Sequence, residues 1–123
     1  MKKRIPVVDD DRTMLVFVRD VLEAGGYDVT CVSGGQEAID ILKEQVFDCI
    51  VLDYHMAGKD GFDVMGSMFK RKDRTPTIVL TSKIESHQEA ALQGLGNVKK
   101  TLKKPSNAEA LLKAVMDVLD GEG

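Results

Sequence analysis

The chain has 123 residues, 43% hydrophobic and 30% charged, with a formal net charge of -3. That length and balance describe one domain around a single hydrophobic core. They exclude a membrane helix, since the apolar stretch behind the basic Met1-Lys2-Lys3-Arg4 stops at Val8 and runs into three aspartates, and no signal peptide is visible either. A cytoplasmic protein without membrane insertion is the expectation. The acidic balance argues against nucleic acid as a direct partner. Two histidines and no Cys-x-x-Cys pair argue against zinc. Cys31 and Cys49 lie among Val and Ile and read as small buried hydrophobes, not as a disulfide.

In chain order, Ile5 to Val8 predicts a short buried strand closed by Asp9-Asp10-Asp11. Met14, Leu15, Val18, Val21 and Leu22 recur at helical spacing from Arg12 to Ala24, where Gly25-Gly26 ends the element. Tyr27 to Val32 is a β-branched strand. Ser33 with Gln36 has the form of a capping box before a helix from Glu37 to Gln45, whose inward face is Ala38, Ile41 and Leu42. Phe47 to Leu52 is a continuous apolar run, suited to a parallel strand covered on both sides. Asp60 caps a helix from Gly61 to about Phe69, with Phe62, Met65 and Phe69 expected inward.

After the polar turn Lys70 to Arg74, Thr77 to Leu80 forms a fourth strand ending in Thr81-Ser82. The helix from Glu85 to Gln93 has a weak apolar face of Ala90, Ala91 and Leu95, and Gly94 and Gly96 follow it. Val98 to Leu102 carries Lys99 and Lys100 and has Lys103 beside it, which suits a solvent-facing edge strand. Ser106-Asn107-Ala108-Glu109 reads as a further capping box before a helix with Leu111, Leu112, Val115 and Leu119 inward.

Five strands alternate with five helices through short connections. Right-handed crossovers then give an α/β fold: a doubly wound, five-stranded parallel sheet with helices on both faces. Every strand-to-helix loop falls on one edge of that sheet. Asp9, Asp10, Asp11, Asp53, Thr81 and Lys104 gather there.

An acidic pair at a strand end can simply cap the next helix, as Asp11 does in either reading. Three carboxylates converging from two strand ends call for a cation between them. Oxygen donors without His or Cys suit Mg²⁺, with Mn²⁺ able to substitute. Asp53, a single carboxylate ending a buried strand, is then placed to attack phosphorus and form an aspartyl phosphate. The Lys104 ammonium and the Thr81 hydroxyl would take up the charge on the phosphoryl oxygens. Taken alone, Lys104 is also one of several surface lysines, and Thr81 could be a strand-end residue with a locally satisfied hydroxyl.

Four short motifs occur in order: Val7-Val8-Asp9-Asp10-Asp11; Val51-Leu52-Asp53-Tyr54-His55-Met56 with Asp60-Gly61; Leu80-Thr81-Ser82; and Leu102-Lys103-Lys104-Pro105. Together they resemble the receiver domain of two-component response regulators, the CheY-like family, over Val7 to Leu119. The resemblance implies a (βα)5 flavodoxin-like fold with strand order 2-1-3-4-5, as a single receiver domain spanning 1–123 with its core at 5–119 and no output domain within the chain. It implies Asp53 as phosphoacceptor and Asp10 as a direct Mg²⁺ ligand. Asp9 would act on the metal through water, the His55 backbone carbonyl would be a main-chain ligand, and Thr81 and Lys104 would hold the phosphoryl oxygens. The implied partners are a sensor histidine kinase or histidine phosphotransfer protein, and a downstream protein target or a missing output domain. The implied activity is not that of a conventional enzyme: the chain would catalyse its own phosphoryl transfer and slow autodephosphorylation.

Several positions depart from the family pattern. Ala57 stands where proline is usual after Met56, and Ser82 stands where a smaller residue usually follows the threonine. Thr101 replaces the usual aromatic three residues before Lys104. The Gly94-Leu95-Gly96-Asn97-Val98 stretch carries about one extra residue, predicting an irregular end to the fourth helix. His55 and Lys83 flank the site, with His55 read as filling the rim. His87 reads as solvent-facing, and Tyr54, Met56, Met65 and Met68 as packing. Lys99, Lys100 and Lys103 are either a patch for an acidic partner or the defence of an edge strand.

An Asp-x-Asp phosphatase is disfavoured because His55 occupies the second acidic position. A flavodoxin-like cofactor binder is disfavoured because the carboxylates would repel a flavin phosphate, and no Walker A or Rossmann glycine motif is present. The alternative kept open is a receiver-fold interaction module that acts largely without phosphorylation.

Overall fold

The computed structural model describes residues 2–82, 86–104 and 107–121, with the backbone alone at 86 and 87. Lys83, Glu85, Pro105, Ser106 and the side chain of His87 therefore lie outside the described residues. Among the described residues, strands and helices alternate as β1 (Arg4–Val8), α1 (Arg12–Ala24), β2 (Asp28–Val32), α2 (Gly35–Glu44), β3 (Ile50–Asp53), α3 (Gly61–Lys70), β4 (Thr77–Thr81), α4 (Ser86–Gln93), β5 (Val98–Lys103) and α5 (Ala108–Leu119). All pairings are parallel and the sheet order is β2-β1-β3-β4-β5. This is the doubly wound arrangement expected from the sequence.

Alternation along the strands builds two cores. Val8, Ile50, Leu52 and Val79 point to one face and pack with α2, α3 and Leu92 of α4. Ile5, Val7, Val51, Ile78 and Leu80 point to the other and pack with α1 and α5. β3 is covered on both faces, which is why its sequence is uninterruptedly apolar up to Asp53.

The α1 face is as expected: Leu15, Val18 and Leu22 are buried and Met14 and Val21 pack beside them. Asp11 caps that helix through Thr13 N at 3.0 Å. Other elements differ. β3 begins at Ile50, not Phe47, because Asp48 is tied to Arg4 through both backbone nitrogens: Arg4 N donates to its carboxylate at 2.7 Å, and Asp48 N to the Arg4 carbonyl at 2.9 Å. β1 begins one residue earlier than expected, at Arg4, which pairs with Asp28 of β2.

α2 is not capped by Ser33. Its N-cap is Gly34, while the Ser33 hydroxyl donates to Glu37 Oε2 at 3.2 Å. Gly35 packs directly on the Lys59 carbonyl, leaving no room for a side chain there. The buried face of α2 is Ala38, Ile39 and Leu42, with Ile41 half-buried.

α3 turns a different face inward from the one expected. Val64, Met65 and Met68 are buried, whereas Phe62 is 48% and Phe69 61% exposed. Gly61 decides the rotation: it is buried against Tyr54, and positions three and seven residues on then face the sheet. The Asp60–Asp63 capping box holds the helix start in that orientation.

Among the described side chains of α4, Leu92 is buried, and Ala90 and Ala91 are exposed. α5 is capped by Asn107, whose side chain accepts from Ala110 N at 2.7 Å, and it buries Leu111, Ala114, Val115 and Val118. Leu112 and Leu119 are only half-buried. Cys49 is buried but Cys31 is exposed, since β2 is an edge strand with few covered positions. β5 forms the other edge, as its lysines suggested. The expected irregular end of α4 is a turn in which Leu95 N donates to the Leu92 carbonyl and Gly96 N to that of Gln93, with Gly96 at φ +84°. Separately, β5 has a register shift: Val98 pairs with Thr77 but Lys100 with Ile78, which leaves Lys99 bulged.

Candidate functional site

Four strand ends bring the carboxyl-edge residues together, Thr81 closing β4. The chain leaves β1 at Asp9, whose N–H donates to the Val32 carbonyl at 3.0 Å. β3 ends on Asp53, and the next residue, Tyr54, donates its N–H to Leu80 of β4 at 2.9 Å. Lys104 follows β5, with its N–H on the Thr81 carbonyl at 2.8 Å. These side chains therefore stand on backbone already committed to the sheet.

Asp9, Asp53 and Thr81 are 2%, 3% and 3% exposed, whereas Asp10 is open to solvent. The Lys104 ammonium bridges the two buried carboxylates, 2.8 Å from Asp9 Oδ2 and 3.2 Å from Asp53 Oδ1. Asp9 Oδ1 accepts from Asp11 N at 2.9 Å, and Asp10 Oδ2 accepts from Ala57 N at 2.9 Å. One oxygen from each of Asp9, Asp10 and Asp53 lies within 4.8 Å of the others, an acidic cluster that could hold a metal ion. Among the described residues one ammonium stands with three carboxylates, so the cluster carries excess negative charge when ionised. An all-oxygen donor set with that charge suits a hard divalent cation.

Burial pushes the Asp53 carboxyl up to about 6, helped by the negative charge of Asp9 and opposed by Lys104. Burial by itself lowers the Lys104 pKa. The hydrogen bond to Asp9 and the charges of Asp53 and Asp9 more than offset this, so its pKa is raised and it stays charged. The pocket thus keeps a fixed cation beside a carboxylate that ionises at higher pH than an ordinary aspartate.

At the rim, His55 is exposed and its ring packs edge-on against Tyr54, with centroids 4.9 Å apart. Tyr54 is buried, as are Met65 and Met68, and Met56 packs against the same core. Ser82 is exposed beside Thr81. Thr101 lies on β5 opposite Val79, with its Oγ1 buried and without a hydrogen-bond partner among the described residues. The backbone N–H of Ala57 escaped sequence reading, because main-chain donors leave no residue-type signal. A proline there would have no N–H to offer Asp10.

A parallel (βα)5 sheet in this order, with an acidic pocket and a lysine at its carboxyl edge, defines a receiver-like signalling domain. The chain belongs to the response regulator receiver domain family, whose sequence pattern matches residues 5–116. It is 29% identical over 117 residues to the response regulator protein FleR of Pseudomonas aeruginosa, covering 94% of this chain but only 24% of that protein. Among solved structures, it resembles the chemotaxis protein CheY4 of Vibrio cholerae at 27% identity and a TM-score of 0.86, over 96% of this chain and 99% of that one. It also resembles the Francisella response regulator 1452 receiver domain at 26% identity and a TM-score of 0.86, over 99% and 100% of the two chains. Membership implies a role in two-component phosphorelay signalling. No helix among the described residues is long and apolar enough to cross a membrane.

Proposed function

We propose that Asp53 accepts a phosphoryl group, in a Mg²⁺-dependent reaction in the cytoplasm, from a phosphohistidine on a sensor histidine kinase or histidine phosphotransfer protein. The observation that carries this reading is the buried Asp53 carboxylate, 3.2 Å from the Lys104 ammonium and sharing an acidic cluster with Asp9 and Asp10. Asp9, Asp10, Asp53 and the His55 carbonyl would hold Mg²⁺, or Mn²⁺ in its place. When bound, the ion supplies positive charge against the phosphoryl oxygens and favours the ionised form of Asp53.

An Asp53 carboxylate oxygen attacks phosphorus, the P–N bond to the donor histidine breaks, and its electron pair returns to the imidazole. The ammonium of Lys104 and the hydroxyl of Thr81 receive the phosphoryl oxygens. Attack of water on phosphorus later releases inorganic phosphate and restores the carboxylate. The chain thus acts on its own modification and needs no pocket for a separate small substrate. The phosphorylated domain signals to a downstream protein target or an attached output domain.

Incubation with acetyl phosphate and MgCl₂, followed by intact-protein mass spectrometry, tests the assignment. The expected result is a mass gain of one phosphoryl group that disappears with EDTA and in Asp53→Asn. A wild-type chain that stays unmodified at saturating donor would favour the interaction module without phosphorylation. That second reading draws its support from Thr101, whose side chain lacks the aromatic ring usual at this position in the family.

A further inference from the structure

Both phenylalanines of α3 face solvent, Phe62 at 48% and Phe69 at 61% exposure. Burying such a ring ordinarily stabilises a fold, so the pair forms an unused apolar surface. They stand seven positions apart, placing both on one stripe roughly 10 Å long. Gly66 falls between them, and a Cβ built there would meet nothing within 4 Å. The helix surface is therefore notched between two exposed rings, a shape that admits an apolar side chain from outside.

A groove adjoins each ring. One of about 530 Å³ lies between α2 and α3, with Ile39, Phe62 and Gly66 in its lining. The other, of about 610 Å³, lies past the end of α3 and is lined by Phe69 and Leu95. Their rims are cationic: Lys43, Lys59, Lys70 and Arg71 border the first, and Lys70, Lys72 and Arg74 the second. Each has one acidic residue, and both of these are engaged within the fold. Asp63 accepts from Asp60 N at 2.9 Å, and Asp73 accepts from Thr75 N at 3.0 Å and its hydroxyl at 2.6 Å. Arg71 is itself engaged, with Nη2 3.7 Å from Asp73 Oδ2 and Nη1 donating to the Leu42 carbonyl at 3.4 Å, so the exposed cations of the rims are Lys43, Lys59, Lys70, Lys72 and Arg74. In a chain of net charge -3, this is a local concentration of opposite sign.

We propose that this α3 face docks an acidic amphipathic segment of a partner protein. Its apolar side chains would cover the Phe62–Gly66–Phe69 stripe while its carboxylates meet the lysine and arginine rim. A lipid surface or a nucleic-acid backbone would engage the cations, but it would leave the notch and its two apolar grooves unfilled. The surface lies on the outer side of α3, so the proposal does not depend on the reading of Asp53.

The test uses the full chain, a synthetic helical peptide with Leu at positions i, i+3, i+4 and i+7 and Glu elsewhere, and the same peptide with Lys for Glu. The Glu peptide is expected to move the ¹⁵N amide signals of Phe62, Gly66, Phe69 and Lys70. Its affinity should fall at least about tenfold in Lys70→Glu/Arg74→Glu and in Phe62→Ser/Phe69→Ser, and should weaken with added salt. These substitutions exchange exposed side chains, and circular dichroism verifies that the variants are folded. Equal affinity for the Lys peptide, or shifts confined to other elements, would overturn the proposal. So would binding of phosphatidylserine vesicles or single-stranded oligothymidine without binding of the Glu peptide, or concentration-dependent self-association through α3.

Discussion

At the scale of single residues, the Lys104 ammonium is what lets two buried carboxylates share one pocket. It sits 2.8 Å from Asp9 and 3.2 Å from Asp53, and removing it would leave like charges facing each other with little water. Lys104→Ala should therefore destabilise the metal-free chain at pH 7.5 by about 2–3 kcal/mol, a partly solvated pair lying below the range for a fully buried one. The loss should shrink at pH 5, where the Asp53 carboxyl, with its pKa at about 6, is mostly protonated and no longer repels Asp9. Urea denaturation at the two pH values reads this directly. An equal loss at both would mean that Lys104 acts through packing of its stem rather than through charge.

At the scale of elements, glycines set how α2 and α3 meet the loop after Asp53. A Cβ on Gly61 would lie 2.7 Å from Tyr54 Cα and 2.9 Å from the Asp53 carbonyl oxygen, both backbone atoms that cannot move aside cheaply. Gly61→Ala should cost about 1–3 kcal/mol and loosen the backbone that holds Asp53. Gly66→Ala, five residues along the same helix and facing open space, should instead stabilise by up to about 1 kcal/mol through helix propensity. Thermal unfolding of the pair separates a packing constraint from a backbone-entropy effect, and a Gly61→Ala chain as stable as wild type would refute the close approach. β5 carries the other local anomaly. Its Thr101 hydroxyl is buried without a partner among the described residues, and Lys99 is bulged out of register with β4. Both features set the β4–β5 pairing apart from a regular parallel ladder.

Across the whole molecule, the acidic pocket makes stability depend on pH in a definite direction. The folded pKa of Asp53 is raised from 3.8 to about 6, so between those values the folded state binds more protons than the unfolded chain. The stabilising contribution is complete below pH 3.8 and is lost as pH rises through 6. Asp53→Asn should consequently be more stable than the wild type above pH 7 by about 1–2 kcal/mol, after allowance for screening by solvent at the open rim, and equal to it near pH 4. Chemical denaturation across that range checks the sign. A variant less stable than wild type at pH 7.5 would mean that the Lys104 ion pair outweighs burial and repulsion.

Much of this was legible before any coordinates. The run from Ile50 to Leu52 ending on Asp53, the aspartates after Val8, and Thr81 and Lys104 at later strand ends required only strand-and-helix alternation to place them on one edge. The strand order followed from the motif resemblance. Local chemistry also announced the caps at Asp11 and Asp60, because a side chain that caps its own helix needs no distant partner. What sequence periodicity left ambiguous was rotation and close approach. The apolar sets Phe62–Met65–Phe69 and Val64–Met65–Met68 both satisfy helical spacing, and only the seating of Gly61 on Tyr54 chose the second and left two rings in solvent. The N–H of Ala57 on Asp10, and the 2.8 and 3.2 Å contacts that join Lys104 to Asp9 and Asp53, bridge residues far apart in the chain. The order of the elements and the chemistry at the strand ends were thus determined by the sequence itself, since both rest on residue type and local periodicity. The face each helix shows, and the charge balance around Asp53, were decided by the tertiary structure, because they depend on which distant atoms arrive at van der Waals and hydrogen-bonding distance.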